Sequence, residues 1–527
     1  MLKKVLKLNL KLIGLIIVAL VLIQVITAYS FGYILQKQLT LQFKQMTDSP
    51  FIKVVRHDYV RHAFSSDETV ELSLNSKSLD HMLGLLPGNT SESNGSGAMQ
   101  SYTIKYTTHV SQGIFDGLFH GYFMPTLGFA KTTIIYPDSL QKKLSKFFNN
   151  KEPLSIENVI YLNKAGRFMV SSPSFDYEEA LSGVKVLWGG LNLRVGYNAK
   201  FDAFNTNLEV PLFKLIAPTK GQLEIQNLAY NSNSRYSVNK IKVGDTNLTV
   251  PYASVEWKDK IGLNFKLGDV LYMLTGISST EFLNGVDVIN PANFTFKGIS
   301  YSSTSEDVNN YFNANAKVNF ASLKTNNQAY GPMNLDLSIN HVLASKFSEL
   351  TDKLATLSAN FDNSNDKDNQ QLIATLKQYF GPILANSPEI RLNNFNLNSP
   401  SWAMQLSGFV TTKDFTQADM QDSQKFMSKV WLDMKISVPK SVLSYLFILQ
   451  TKYLLGAGNA QMDQNSSDAL SKVVDILLDS QINSWIKKGY LHKDDKGNLD
   501  SHMVLKDGQF YLNGMTSTTG AANKATK

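Results

Sequence analysis

The sequence predicts a mainly β protein with inserted helices (α+β). A single N-terminal transmembrane helix precedes an elongated antiparallel β-meander, a curved sheet or a sandwich, with helices in its C-terminal half. Three observations lead there. Apolar and polar residues alternate over stretches of about nine to eleven residues, the period of strands with one buried face. The chain holds 30 Phe and 22 Tyr, and aromatic side chains favour strands over helices. One uncharged run near the N-terminus is too long for a strand, and the clearest helical periods fall late in the chain.

That run, Leu12 to Leu35, is 24 residues without a charge. At about 1.5 Å per residue it is long enough to span about 30 Å of hydrocarbon with some tilt. Lys3, Lys4, Lys7 and Lys11 precede it, which places residues 1–11 in the cytoplasm as a basic tail and the rest on the far side. A cleaved signal peptide is the alternative, with Ala28-Tyr29-Ser30 offering small residues at a cut. The run outlasts the usual apolar region of about 7–15 residues and continues past that point, so 12–35 is read as a retained anchor. Residues 36–56 read as a short basic helical stem.

The formal charge of +7 belongs to this N-terminal part. Residues 1–56 hold eight Lys and Arg against Asp48, 8 − 1 = +7, and the remaining 51 − 8 = 43 basic and 44 − 1 = 43 acidic residues cancel. A nucleic-acid partner needs a basic face on the folded body, so none is expected. With no cysteine, disulfides, thiolate metal sites and cysteine nucleophiles are excluded.

Residues 57–340 read as the β-rich body. Leu191, Leu193, Val195, Tyr197, Ala199 and Phe201 fall on one side of a strand, and Phe312, Ala314, Ala316, Val318 and Phe320 repeat the pattern. Residues 341–388 read as a helical insertion around a polar loop, and 389–438 as further strands of the body. An apolar and an amphipathic helix follow in 439–489, then a terminal hairpin in 490–515 and a disordered tail in 516–527.

Chemistry is sparse. No G-x-S-x-G, P-loop or H-E-x-x-H pattern occurs. His62, Ser65, Ser66, Asp67 and Glu68 gather the parts of a hydrolytic triad, but triad members normally come from separate segments. These residues lead directly into the alternating Val70-Leu72-Leu74 strand. The histidines lack metal-ligand spacing, so no catalytic residue, metal or cofactor is expected.

Tyr59, Arg61, Phe64, Ser65 and Ser66 followed by alternating apolar residues resemble the Tyr-x-Arg-Gly-x-Phe-Ser-Ser block of the YdgA family. The strand ending at Pro439 before an apolar helix is similar to that family's Leu-x-Ile-Pro strand. Gly508 with Asn513 and Gly514 resembles its terminal hairpin. The blocks occur in the family's order from end to end, with His62 where the family usually has glycine. The resemblance implies an inner-membrane protein with a large periplasmic part and no assigned activity or catalytic residues.

A long one-sided sheet must bury its apolar face by folding on itself, under helices, or against a guest. The expectation is a non-enzymatic envelope protein, anchored in the bacterial inner membrane, whose periplasmic body binds lipid in a hydrophobic trough. Leu191, Leu193, Val195, Tyr197, Phe201, Phe312, Val318 and Phe320 are its candidate lining. The layout is similar to that of AsmA-type lipid carriers. The alternatives are an assembly module that pairs with a second copy or another envelope protein, a fully packed sandwich with no cavity, and, less favoured, a periplasmic hydrolase.

Overall fold

The computed structural model describes residues 2–47, 52–74, 102–258, 261–266, 284–289, 292–325, 328–358, 366–454 and 464–516. Their long alternating stretches form one antiparallel sheet of 24 strands. Its main ribbon is a meander in which each strand pairs with the next. The ribbon opens with β1 (Ile52–Arg61), β2 (Ser65–Leu74), β3 (Tyr102–Gln112), β4 (Thr126–Ile135), β5 (Ser155–Tyr161) and β6 (Gly166–Ser172). Its middle is β7 (Leu191–Tyr197), β8 (Ala203–Ala217), β9 (Gly221–Tyr236), β10 (Lys242–Trp257), β11 (Ala292–Val308) and β12 (Tyr311–Phe320). It continues through β13 (Met333–Leu343), β14 (Glu389–Ser399), β15 (Trp402–Thr412), β16 (Val430–Pro439), β17 (Asn498–Lys506) and β18 (Gln509–Leu512). Among the described residues no pairing joins β1 to the last strands, so the sheet is open.

Strands β8 to β11 are 15 to 17 residues long and carry a transverse crease. Pro211, Asn227, Pro251 and Gly298 fall in one line across them, at positions the ladders skip. Proline removes a ladder donor, and the facing Asn227 and Gly298 adopt left-handed φ of 53° and 64°. At this line the apolar pattern changes parity in all four strands: Val210 then Phe213, Ile225 then Leu228, Val250 then Ala253, Phe296 then Ile299. Phe296 meets Phe320 edge to face at 5.9 Å, so apolar residues on both sides of the crease share one face.

Helices cover that face at both ends of the ribbon. The N-terminal α1 (Leu2–Thr47) lays Leu35 and Leu39 on Val110, Leu127, Ala130 and Ile160 of β3 to β5. A short helix, α2 (Asp116–Phe119), lies in the β3–β4 connection, and α3 (Asp138–Phe147) follows β4. In the second half, α4 (Ala344–Ser358) and α5 (Asp366–Leu384) pack Leu350 and Ile383 on Val342 of β13. Beyond α6 (Ser423–Lys429), α7 (Lys440–Leu454) and α8 (Gln464–Lys487) enclose Leu478, Ile482 and Leu499.

The N-terminus differs from the sequence expectation. A separate stem over 36–56 does not form: α1 runs unbroken to Thr47, and β1 starts at Ile52. The C-terminal part of the predicted span, up to Leu35, lies on the body. Gln24, Ala28, Phe31, Leu35, Gln38 and Gln42 recur every three to four residues, one stripe of a helix. Ala28 and Leu35 are fully buried, Gln38 donates to the Lys164 and Ala199 carbonyls, and Asn158 donates to Gln42. Among the described residues no helix is long and apolar enough to cross a membrane. Lys3, Lys4, Lys7 and Lys11 lie outside the residues whose side chains are described.

Candidate functional site

The apolar face can be followed strand by strand through the register. Leu193 of β7 is directly opposite Leu208 of β8, which faces Tyr230, then Leu248, Tyr301 and Val318 of β12. The same row continues through Leu335, Phe395, Leu406 and Ile436, and in the other direction through Val170 and Ile156. Directly opposed residues share a face, so this is one apolar band crossing twelve strands, β5 to β16. None of its residues is buried; all are half exposed. The opposite face of the middle strands is polar, with Asn207, Asn231 and Asn247 in one row and Asn205, Asn233 and Asp245 in the next.

Two features shape the ends of this face. Where the β7–β8 turn meets the edge of β9 to β11, a cavity of about 630 Å³ opens. Ser234, Gly244 and Ser305 follow Tyr197 and Phe204 in one row, and their small size hollows the surface. At the other end a two-stranded hairpin, Ile261–Lys266 with Asn284–Ile289, leaves β10 and returns to β11. Its second strand packs against α7, which continues from β16. These two elements thus meet from strands that are five places apart in the ribbon.

The expected lining divides into several environments. Leu191, Leu193 and Val195 lie on the open face, and Val318 sits in the apolar row. Tyr197 ends its strand and is nearly buried; its hydroxyl donates to Asn158 at 2.7 Å, and burial pushes its pKa up. Phe201 is not on the strand: β7 stops at Tyr197, and Phe201, at φ 55°, folds back in the turn to stack on Tyr197 at 4.7 Å. Phe312 is covered by Phe347 of α4 at 5.0 Å, and Phe320 caps β12 against Phe296. Sequence reading missed Tyr230, Leu248 and Tyr301. Their signal was the parity change at Pro251 and Gly298, which breaks simple alternation.

The triad-like stretch resolves by face. Asp67 points to the outer side, where His109 Nδ1 lies 2.7 Å and His62 Nε2 3.2 Å from its carboxylate. The His109 hydrogen bond holds the Asp67 carboxyl below its usual pKa. Its neighbours Ser66 and Glu68 point inward, and the buried Ser66 hydroxyl has no partner. Ser66 and the Asp67–His pair are therefore on opposite sides of β2, and Ser66 makes no contact with that pair. Glu68 bonds His57 at 2.7 Å, burial raises its carboxyl pKa, and Phe43 of α1 stacks on His57 at 3.9 Å. Among the described residues no three His, Asp or Glu side chains are grouped to hold a metal.

The motif residues act as docking parts. Tyr59 packs in the α1 core cluster, and the Arg61 guanidinium lies 5.8 Å from the Tyr29 ring of α1; Phe64 is exposed, and Ser65 opens β2. At the far end Asp507 and Gly508, at φ 52° and 71°, make the tight turn of the last hairpin. Asn513, next to Gly514, donates to the carbonyls of Gly489 and Tyr490 and accepts from the His502 amide, so it clamps that hairpin to the end of α8.

A family model described as a bacterial protein of unknown function (DUF945) matches residues 8–518, from within α1 to beyond the last hairpin. The chain belongs to this DUF945 family. Its match includes the helix-docking block, the creased middle of the sheet and the Asn513 clamp, so these are features of one DUF945 unit. Comparisons with curated proteins and with solved structures return no match.

Proposed function

We propose that this DUF945 protein is a non-enzymatic carrier of the bacterial cell envelope, held at the inner membrane by α1, whose β body binds lipid acyl chains on the open apolar face. The observation that carries this reading is the apolar band through Leu193, Leu208, Tyr230, Leu248, Tyr301 and Val318, continuous in register and half exposed. Contiguous apolar surface of this extent is costly in water and favours a guest. The crease keeps the face continuous over strands too long to stay flat, and the hollow near Ser234 and Ser305, which also carries Arg235 on its lining, suits a head group at one end. The uncharged run after Lys11 and the order of blocks resembling the YdgA family support the membrane placement.

The experiment compares two neighbours. A photo-crosslinking amino acid replaces Leu248 or Asn247 in the full chain, which is irradiated in cells and weighed by mass spectrometry. Lipid-mass adducts at 248 and not at 247 are expected. Absence of adducts at 248, or equal yields at both, removes the carrier reading.

A second reading has one observation of its own. The outer side of edge strand β1 is unpaired among the described residues, and Val55 and Val60 are exposed on it. Edge pairing with a second copy or another envelope protein would give a defined complex that a proline at an outward-bonding β1 position dissolves.

A further inference from the structure

We infer that the body does not stand off the membrane on a stem but sits on it, with the tip of the β3–β4 loop inserted in the lipid interface beside α1. This deepens the membrane placement proposed above and rests on it.

The loop is built to present an apolar tip. Phe123 is 93% exposed, Met124 61% and Leu118 49%, and from Gly117 to Pro125 there is no Lys, Arg, Asp or Glu. Two rings of the loop pack back on the sheet. Tyr122 donates to Met169 Sδ at 3.3 Å, and the His120 ring stacks on Phe129 at 3.9 Å. The buried Thr126 hydroxyl accepts from the Gly117 amide at 3.0 Å, and the Tyr122 amide donates to the Gly117 carbonyl at 2.8 Å. A loop held this firmly does not expose Phe123 for want of a fold; its side chain is aimed outward.

The loop's position names the partner. Its base is fixed to α1 by Gln24, whose Oε1 accepts from the Phe115 amide at 3.2 Å, and the Gln24 amide fills the space where a Cβ on Gly113 would lie. On α1 the side not facing the sheet exposes Leu22, Ile23 and Ile26 next to this contact. The base of the loop thus adjoins α1, and the exposed Phe123 and Met124 follow that contact within nine residues, 124 − 115 = 9. Aromatic and long apolar side chains flanked by a helix of this kind suit the boundary between head groups and acyl chains. The occupant is a lipid surface.

The absence of cysteine makes the test direct. Single variants Phe123→Cys, Ile26→Cys and Leu181→Cys of the full chain are labelled with an environment-sensitive fluorophore. They are reconstituted in phosphatidylethanolamine–phosphatidylglycerol vesicles containing a shallow spin-labelled lipid. Leu181, 99% exposed in a turn between other strands, is the aqueous reference. Quenching at 123 at least about threefold above that at 181, and comparable to that at 26, is expected. Quenching at 26 with 123 matching 181 would overturn the seating while leaving the anchor in place. A chain that does not float with the vesicles would overturn both.

Discussion

The sheet carries the same alternating pattern at its N-terminal end, under α1, as in its open middle, β7 to β12, yet the two regions bury it to different extents. Under α1, Val70, Val110 and Ile160 are fully excluded from solvent. In the middle, Leu193, Leu208, Tyr230, Leu248 and Tyr301 point the same way and stay half exposed. What differs is the cover. An apolar stripe with glutamines at its ends lies on the first region, whereas on the second α4 reaches one edge, where it packs on Phe312 and Val243. Alternation therefore encodes a face that needs covering and leaves open what covers it; for the middle of this sheet the proposed cover is a guest.

The largest break in this comparison is expected from Ile160→Ala. Removing a fully buried side chain beneath α1 should destabilise the full chain by about 2–4 kcal/mol in denaturant unfolding. Gly298→Ala should cost about 1–2 kcal/mol, because its left-handed φ is unfavourable for a residue with a Cβ; it should also weaken lipid crosslinking from Leu248 by distorting the crease. Leu248→Ala should change stability by about 1 kcal/mol or less, since the side chain is already half solvated. A cost equal to that of Ile160→Ala would mean that the middle is as tightly packed as the end.

The smallest effect concerns protons. Burial raises the Glu68 pKa, so its folded form favours the neutral acid. That contribution to stability is complete below the unfolded carboxyl's value of about 4.3 and is lost as pH rises through the higher folded value. Stability of the α1-covered end should therefore fall over the weakly acidic range just above about pH 4.3, and Glu68→Gln should flatten that slope. The adjacent Asp67 has the opposite sign: its lowered pKa stabilises above the unfolded value and is lost on acidification. Measuring unfolding against pH for Glu68→Gln and Asp67→Asn separates the inward and outward sides of one strand.

Much of the fold was legible from local pattern. Period-two alternation marked the strands of β7, β12, β13 and β16, and the helices of the second half announced themselves by apolar stripes bounded by Pro439 and Gly489. The final hairpin was readable because Asp507-Gly508 fits the φ > 0 positions of a two-residue turn. The creased strands were less legible, because Pro211, Pro251 and Gly298 interrupt alternation. Phe201 was misplaced because a turn residue in the left-handed region ends the pleat without changing the apolar count.

The N-terminal run shows most clearly where local pattern stops. Uniform apolarity from Leu12 to Leu35 determined a long helix, since hydrophobic residues all round a helix satisfy any apolar surroundings. It did not say which surroundings, because a helix with little amphipathic contrast presents several equivalent sides. That was decided by Gln24, Gln38 and Gln42 finding partners on Phe115, Lys164, Ala199 and Asn158, groups between about 91 and 161 positions away in sequence. By itself the sequence determined a one-sided β ribbon and an apolar helix. Only the tertiary structure decided which parts of the ribbon the helices cover and which stay open, because burial belongs to pairs of surfaces and alternation describes just one of them.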